Sequence, residues 1–218
     1  MFVINCKNYE EIAGENIVKF VKICENIAKK HKIKIAIAPP QHLLGKIASS
    51  KVTILAQHVD NTKVGSTTGF VIPELIKKSK VNGSIINHSE HRIPSKDIAE
   101  LVKRLRELKL ISIVCVKDVA EVKKYAKLNP DYIAIEPPEL IGSGKAVSTE
   151  KPELITQAAK AVHSAKNNTK LLCGAGIVSG KDVSKAIELG SKGILVASGI
   201  IKAKNWNNII DDFARAML

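Results

Sequence analysis

The run Tyr132-Ile133-Ala134-Ile135-Glu136-Pro137-Pro138-Glu139-Leu140-Ile141-Gly142-Ser143-Gly144 decides how the rest of the chain is read. Four apolar residues make a strand, a glutamate ends it, two prolines stiffen the exit, and Gly-Ser-Gly closes a segment of the length of a hinged lid. A carboxylate at the carboxyl end of a buried parallel strand is short of water, which strengthens it as a base. It suits general-base work, and the glycines beyond it can present backbone N–H groups to an anion. Taken alone, the same stretch also reads as a surface loop whose glutamate is merely solvated, so the other stretches decide.

Working outward, apolar runs of strand length recur eight times: Phe2 to Cys6, Ile33 to Ile37, Val52 to Ala56, Ser84 to Asn87, Ile111 to Val116, Tyr132 to Glu136, Lys170 to Cys173 and Gly193 to Val196. They are nearly continuous Ile/Val/Leu/Ala runs without polar alternation, the pattern of strands buried on both faces. Amphipathic segments lie between them. Ile17, Phe20, Val21, Cys24 and Ile27 share one helical face, as do Ile98, Leu101, Val102, Leu105 and Leu108. Ser95 is placed to cap the second helix, and Ser179 with Asp182 makes a capping-box start to another, which Gly190 ends. Strand and helix thus alternate with parallel pairing implied. Eight such units close into a single-domain (β/α)8 barrel with eight parallel strands, although periodicity fits a doubly wound open sheet almost as well.

With 218 residues and no linker or composition shift, residues 1–218 read as one domain. The four cysteines, Cys6, Cys24, Cys115 and Cys173, lack C-x-x-C spacing and read as reduced, buried thiols of a cytoplasmic protein. A strand begins at Phe2, so no leader is expected, and the longest apolar runs fall far short of the roughly 18 residues a membrane span needs. The net charge of +13 invites a nucleic-acid reading, but the lysines are scattered and aromatics are only 4% of the chain, leaving few stacking platforms. A diffuse positive field also steers a small phosphorylated or carboxylated substrate inward.

In a barrel of this kind the site is built at the carboxyl ends of the strands. There stand Asn5-Cys6-Lys7, Asn87-His88-Ser89-Glu90, Glu136, Gly174-Ala175-Gly176 and Ala197-Ser198-Gly199. A cation, an imidazole, a carboxylate and small-residue loops therefore meet at one mouth. No third His or Cys at ligand spacing accompanies His88 and His91, so no metal is expected.

These residues resemble the triosephosphate isomerase family, and most closely its short, archaeal-type branch. The carrying motifs are Asn5-x-Lys7, Asn87-His88-Ser89-Glu90, Val114-Cys115 and the Glu136-Pro137 to Gly142-Ser143-Gly144 lid, with Gln57 and Thr67-Thr68-Gly69 in agreement. The resemblance implies interconversion of dihydroxyacetone phosphate and glyceraldehyde 3-phosphate through an enediolate, a step of glycolysis and gluconeogenesis. It implies Glu136 as the base and a neutral His88 as the electrophile, a pairing for which this family is itself the reference case. Lys7 would supply fixed positive charge and Asn5 a hydrogen bond, with Glu90 holding the site's polar groups from behind. The phosphate would lie against Ile141, Gly142, Gly176, Ala197 and Ser198, with Asn5, Cys6 and Lys7 also touching substrate. No cofactor is implied.

The lid reads Pro137-Pro138-Glu139-Leu140 where the common form has an aliphatic residue and a tryptophan, and loop seven reads Cys173-Gly174-Ala175-Gly176 where it has Tyr-Gly-Gly-Ser. The usual latch is missing, so the lid is expected to be held differently or less firmly. The loop from Val59 to Phe70 has no helix pattern; its family counterpart enters a neighbouring subunit, so Thr68 is expected at an interface and a dimer is the minimum. The short branch implies a homotetramer, although Phe70 replaces the usual acid after Thr-Gly. Two other readings stay open: another phosphate-binding barrel, such as a sugar-phosphate epimerase, and a basic barrel that binds RNA or a protein partner.

Overall fold

All eight runs form strands in the computed structural model, which describes residues 1–218: β1 Phe2–Asn5, β2 Ile35–Ala38, β3 Thr53–Ala56, β4 Gly83–Ile86, β5 Ile111–Val116, β6 Tyr132–Ile135, β7 Lys170–Gly174 and β8 Ile194–Val196. Each neighbour pairs in parallel, and β8 returns to β1 through Phe2 opposite Ile194 and Ile4 opposite Val196. That last pairing closes the sheet. It decides for the (β/α)8 barrel over the open sheet.

Strand alternation divides the core in two. Val3, Leu55, Ile85, Ile113, Ala134, Leu172 and Leu195 pack inside the barrel, with Ala36 and Ala38 of β2 and Cys115 of β5. The intervening residues, such as Phe2, Ile4, Ile37 and Ile133, pack outward against the helices. The helix Asn16–His31 buries the five residues its pattern marked, and Ser95–Glu107 buries Ile98, Leu101, Val102 and Leu105. Ser179 and Asp182 form the expected capping box, and Gly190 follows the helix Gly180–Glu188 in a left-handed turn (φ +105°).

One cap differs. Pro94, not Ser95, is the N-cap, and Ser95 is the first helical residue, its Oγ 2.9 Å from the Tyr125 hydroxyl. Proline holds an extended backbone before a helix without needing a side-chain bond, which frees the serine for that contact. The stretch between β3 and the helix Pro73–Lys78 is a long loop, as expected. Its neck is tied by Asp60 N to Val71 O (2.8 Å) and Val71 N to Asp60 Oδ2 (2.7 Å), and its tip, with Thr68 and Phe70, is exposed. No helix is long and apolar enough to cross a membrane.

Candidate active site

The inward parity of the strands continues past their ends and aims Asn5 and Glu136 at the mouth. Asn5 is buried and its Oδ1 accepts from Lys7 N at 3.0 Å. Lys7 has left-handed backbone (φ +46°), a conformation that costs a non-glycine residue on the order of 1 kcal/mol. It is held there partly by Gln57, whose Nε2 donates to Lys7 O (2.9 Å) and Ala38 O (3.1 Å). The Lys7 ammonium reaches Glu90 Oε1 at 2.6 Å, which fixes the cation at the mouth, with Glu90 itself exposed on the wall of the groove.

His88 follows Asn87, also left-handed (φ +62°). Asn87 Nδ2 donates to Cys115 O (3.0 Å) and its Oδ1 accepts from Ile93 N (3.1 Å), so both ends of the amide are used to pin the loop. His88 is buried, and its Nδ1 stands 3.2 Å from the donating N–H of Glu90. A ring nitrogen that accepts carries no proton, so the proton of the neutral ring is on Nε2. That nitrogen faces Glu136 Oε2 at 3.7 Å, beyond hydrogen-bond reach.

Glu136 is only 6% exposed and Oε2 makes no hydrogen bond within the protein. A buried, unpaired carboxylate oxygen is costly to keep, and its company is a donor histidine. Its place depends on a residue that the pattern of the sequence did not single out for this role: a Cβ on Gly174 would lie 2.4 Å from Glu136 Cγ. Burial first, then the Glu136 carboxylate, pushes the Cys115 and Cys173 thiols up, so Glu136 has no competing thiolate beside it.

Beyond Glu136 the lid descends through a short 3-10 turn, Pro138–Leu140. Ser143 Oγ donates to Leu140 O (2.9 Å) and accepts from Lys145 N (3.0 Å), while Glu139 pairs with Lys151. Val147 N donates to Ala175 O (3.3 Å), and Gly176 (φ +70°) lies so close under Lys145 that a Cβ would meet its carbonyl at 1.8 Å. The lid's far end therefore meets loop seven backbone to backbone.

A cavity of about 210 Å³ is enclosed by Lys7, Glu136, Ile141, Gly142, Gly176, Ala197 and Ser198. A larger groove of about 800 Å³, holding Asn5, His88 and Glu90, adjoins it, with Lys7 on the wall of both. The structure thus gathers the predicted residues with two exceptions. Cys6 is a correction: its thiol is in the core, pushed up by burial, and its N–H is bonded to Ala38 O (2.9 Å), so it offers a ligand nothing. Thr68 lies apart on the exposed loop tip, where an interface role would put it. His58 went unmarked: it stacks on His91 in the groove (centroids 3.9 Å apart), and burial holds it below its ordinary value, with Asp60 opposing and His91 adding.

Comparison with known proteins agrees with this geometry. A family model described as triosephosphate isomerase matches residues 1–213. The chain belongs to the triosephosphate isomerase family. A curated triosephosphate isomerase of Cenarchaeum symbiosum is 56% identical over all of this chain and 97% of its own. Those of Methanothermus fervidus and Sulfolobus acidocaldarius are 43% and 42% identical, covering 98% and 94% of their lengths. Within this family the chain is an isomerase whose mouth carries Lys7, His88 and Glu136 together.

Proposed function

We propose that the chain interconverts dihydroxyacetone phosphate and D-glyceraldehyde 3-phosphate, with Glu136 and His88 as the reacting pair. The observation that carries the reading is the unbonded Glu136 Oε2 facing His88 Nε2 at 3.7 Å, with the His88 Nδ1 occupied by a backbone N–H. Glu136 takes a proton from the carbon beside the carbonyl. The C–H electron pair becomes the double bond of the enediolate, and the carbonyl π pair moves onto oxygen. That oxygen is stabilised by the His88 Nε2–H and by Lys7, and Asn5 adds a donor on the same side. His88 passes a proton between the two oxygens, Glu136 returns its proton to the neighbouring carbon, and nothing is oxidised or consumed.

The phosphate lies against Ile141, Gly142, Gly176, Ala197 and Ser198, where small residues let backbone N–H groups approach. Closing the lid excludes water from the enediolate, a role for which this family is again the reference case. Residues 1–218 act as one domain, in the cytoplasm, as a homotetramer whose exposed loop around Thr68 reaches a neighbouring subunit. Light scattering at micromolar concentration tests the assembly, and a dimer would overturn the tetramer.

A coupled assay with glyceraldehyde 3-phosphate tests the reaction. An active wild type beside a folded, crippled Glu136→Asp supports it; an inactive wild type would keep the fold and overturn the substrate.

A further inference from the structure

The amino-terminal end of the barrel, opposite the catalytic mouth, holds a cavity of about 830 Å³, within the range of roughly 300–1,000 Å³ that small-molecule sites occupy. It is about four times the size of the cavity under the lid, from 830 against 210 Å³. Four lysines line it. Lys34 precedes β2, Lys170 opens β7, Lys192 precedes β8, and Lys166 follows the helix Pro152–Ser164 with left-handed backbone (φ +52°). Because β7, β8, β1 and β2 are neighbours in the closed sheet, the chain delivers these side chains to one place.

Their backbones are fixed: Phe2 N donates to Lys34 O (2.9 Å), Lys170 N to Asp131 O (3.0 Å) and Lys192 N to Leu171 O (2.8 Å). None of the four is in an ion pair, and no aspartate or glutamate lines the cavity. Gathered like charges repel and cost stability unless an anion offsets them. Between the lysines the wall is mixed: Ile33, Val162, Leu171, Ile187, Met217 and Tyr132 give it apolar surface, and His163, Asn167, Thr169 and Ser191 add polar groups. The Tyr132 hydroxyl is pushed up by burial and then by Asp131, so it stands as a neutral donor.

We propose that this cavity binds an organic polyanion of nucleotide size, its charged end held by Lys34, Lys166, Lys170 and Lys192 and its apolar or aromatic body against Tyr132 and Met217. Charge alone would suit any phosphate, and an apolar wall alone would suit a neutral molecule. The combination selects a molecule with both. The proposal is independent of the reaction at the opposite mouth.

The chain has two methionines, Met1 and Met217, and both line this cavity, so methyl-13C-methionine NMR of the whole protein reads it directly. ATP is titrated in EDTA, with inorganic triphosphate as the charge-only probe. Both methyl signals are expected to move on a saturable curve, with ATP binding more tightly than triphosphate. The exposed positions make a Lys34→Ala/Lys170→Ala/Lys192→Ala variant safe for folding. It should weaken ATP about tenfold or more and leave isomerase activity unchanged. Methyl signals that stay still at millimolar ATP, an affinity for triphosphate equal to that for ATP, an unweakened triple variant, or loss of the shifts under saturating dihydroxyacetone phosphate would each overturn the proposal.

Discussion

His88 and Glu136 face each other across the mouth, but the two walls that present them are built by different means. On the β1 and β4 side, buried and half-buried side chains bond to backbone: Asn87 to Cys115 O and Ile93 N, Gln57 to Lys7 O and Ala38 O, and His88 Nδ1 to Glu90 N. On the β6 and β7 side, Glu136 Oε2 has no bond, the side chain is placed by the space Gly174 leaves, and the lid is tied by the Ser143 hydroxyl within it, by backbone contact with loop seven and by one exposed ion pair. His88, the proposed electrophile, is preorganised by hydrogen bonds, and Glu136, the proposed base, by shape. A polarising group must not reorient as charge develops, whereas a base that carries a proton between two carbons needs freedom to move.

The contrast is broken most severely on the side held by shape. Glu136→Asp withdraws the carboxylate by about one bond length and should lower kcat by about 100-fold or more, with substrate affinity little changed. Gly174→Ala tests the same wall without touching the base. Its Cβ would sit 2.4 Å from Glu136 Cγ, so the carboxylate must move. We expect a loss of about 10- to 100-fold in kcat and of about 1–3 kcal/mol in stability from overpacking, read by the coupled assay and by denaturant unfolding. Normal activity in Gly174→Ala would mean that shape does not position the base.

On the bonded wall, Asn87→Ala removes one buried and one half-buried hydrogen bond and keeps a Cβ in a left-handed position. Stability should fall by about 1–3 kcal/mol and kcat by about tenfold. Asn87→Gly separates the two causes, because glycine relieves the backbone and leaves the bonds lost. If Asn87→Gly were as active as wild type, the amide clamp would be irrelevant to His88 and the contrast between the walls would collapse.

The same walls differ in how far they could be read from the chain. All eight strands were legible because burial on both faces leaves an unbroken apolar run. Closure was not, because whether Ile194 bonds beside Phe2 is a long-range fact that periodicity does not contain. Asn5, Lys7, His88 and Glu136 were legible as polar residues at strand ends. Cys6 is the buried thiol the chain's pattern pointed to, and only its assignment to the substrate was misplaced, although a signal existed: it shares parity with Phe2 and Ile4, which face the helices, while Asn5 shares it with Val3 inside the barrel. His88 shows why parity alone is insufficient. It follows Ile86 by two positions, yet reaches the mouth because left-handed Asn87 breaks the alternation between them. Gly174 was illegible as a positioning residue, since the space it leaves is defined only by a side chain on the neighbouring strand.

The smallest effect belongs to the exposed Glu139–Lys151 pair, which ties the lid to the residue that opens the helix Pro152–Ser164. The Lys151 ammonium bonded to Glu139 holds that carboxyl below its ordinary value of 4.5. A depressed carboxylate contributes fully above its unperturbed value, and its contribution is lost as pH falls through the depressed one. Exposure and salt screen the pair, so at neutral pH Glu139→Gln should change kcat by no more than about twofold. Relaxation dispersion on lid amides should show wild-type exchange flat from pH 8 down to 5 and faster only at more acid pH, with Glu139→Gln lacking that acid step. An acid step that survives in Glu139→Gln would belong to another carboxyl and take the pH-sensitive tie away from this pair, whereas loss of the step leaves the backbone contacts of Val147 with Ala175 and of Lys145 with Gly176 as the pH-independent hold on the lid.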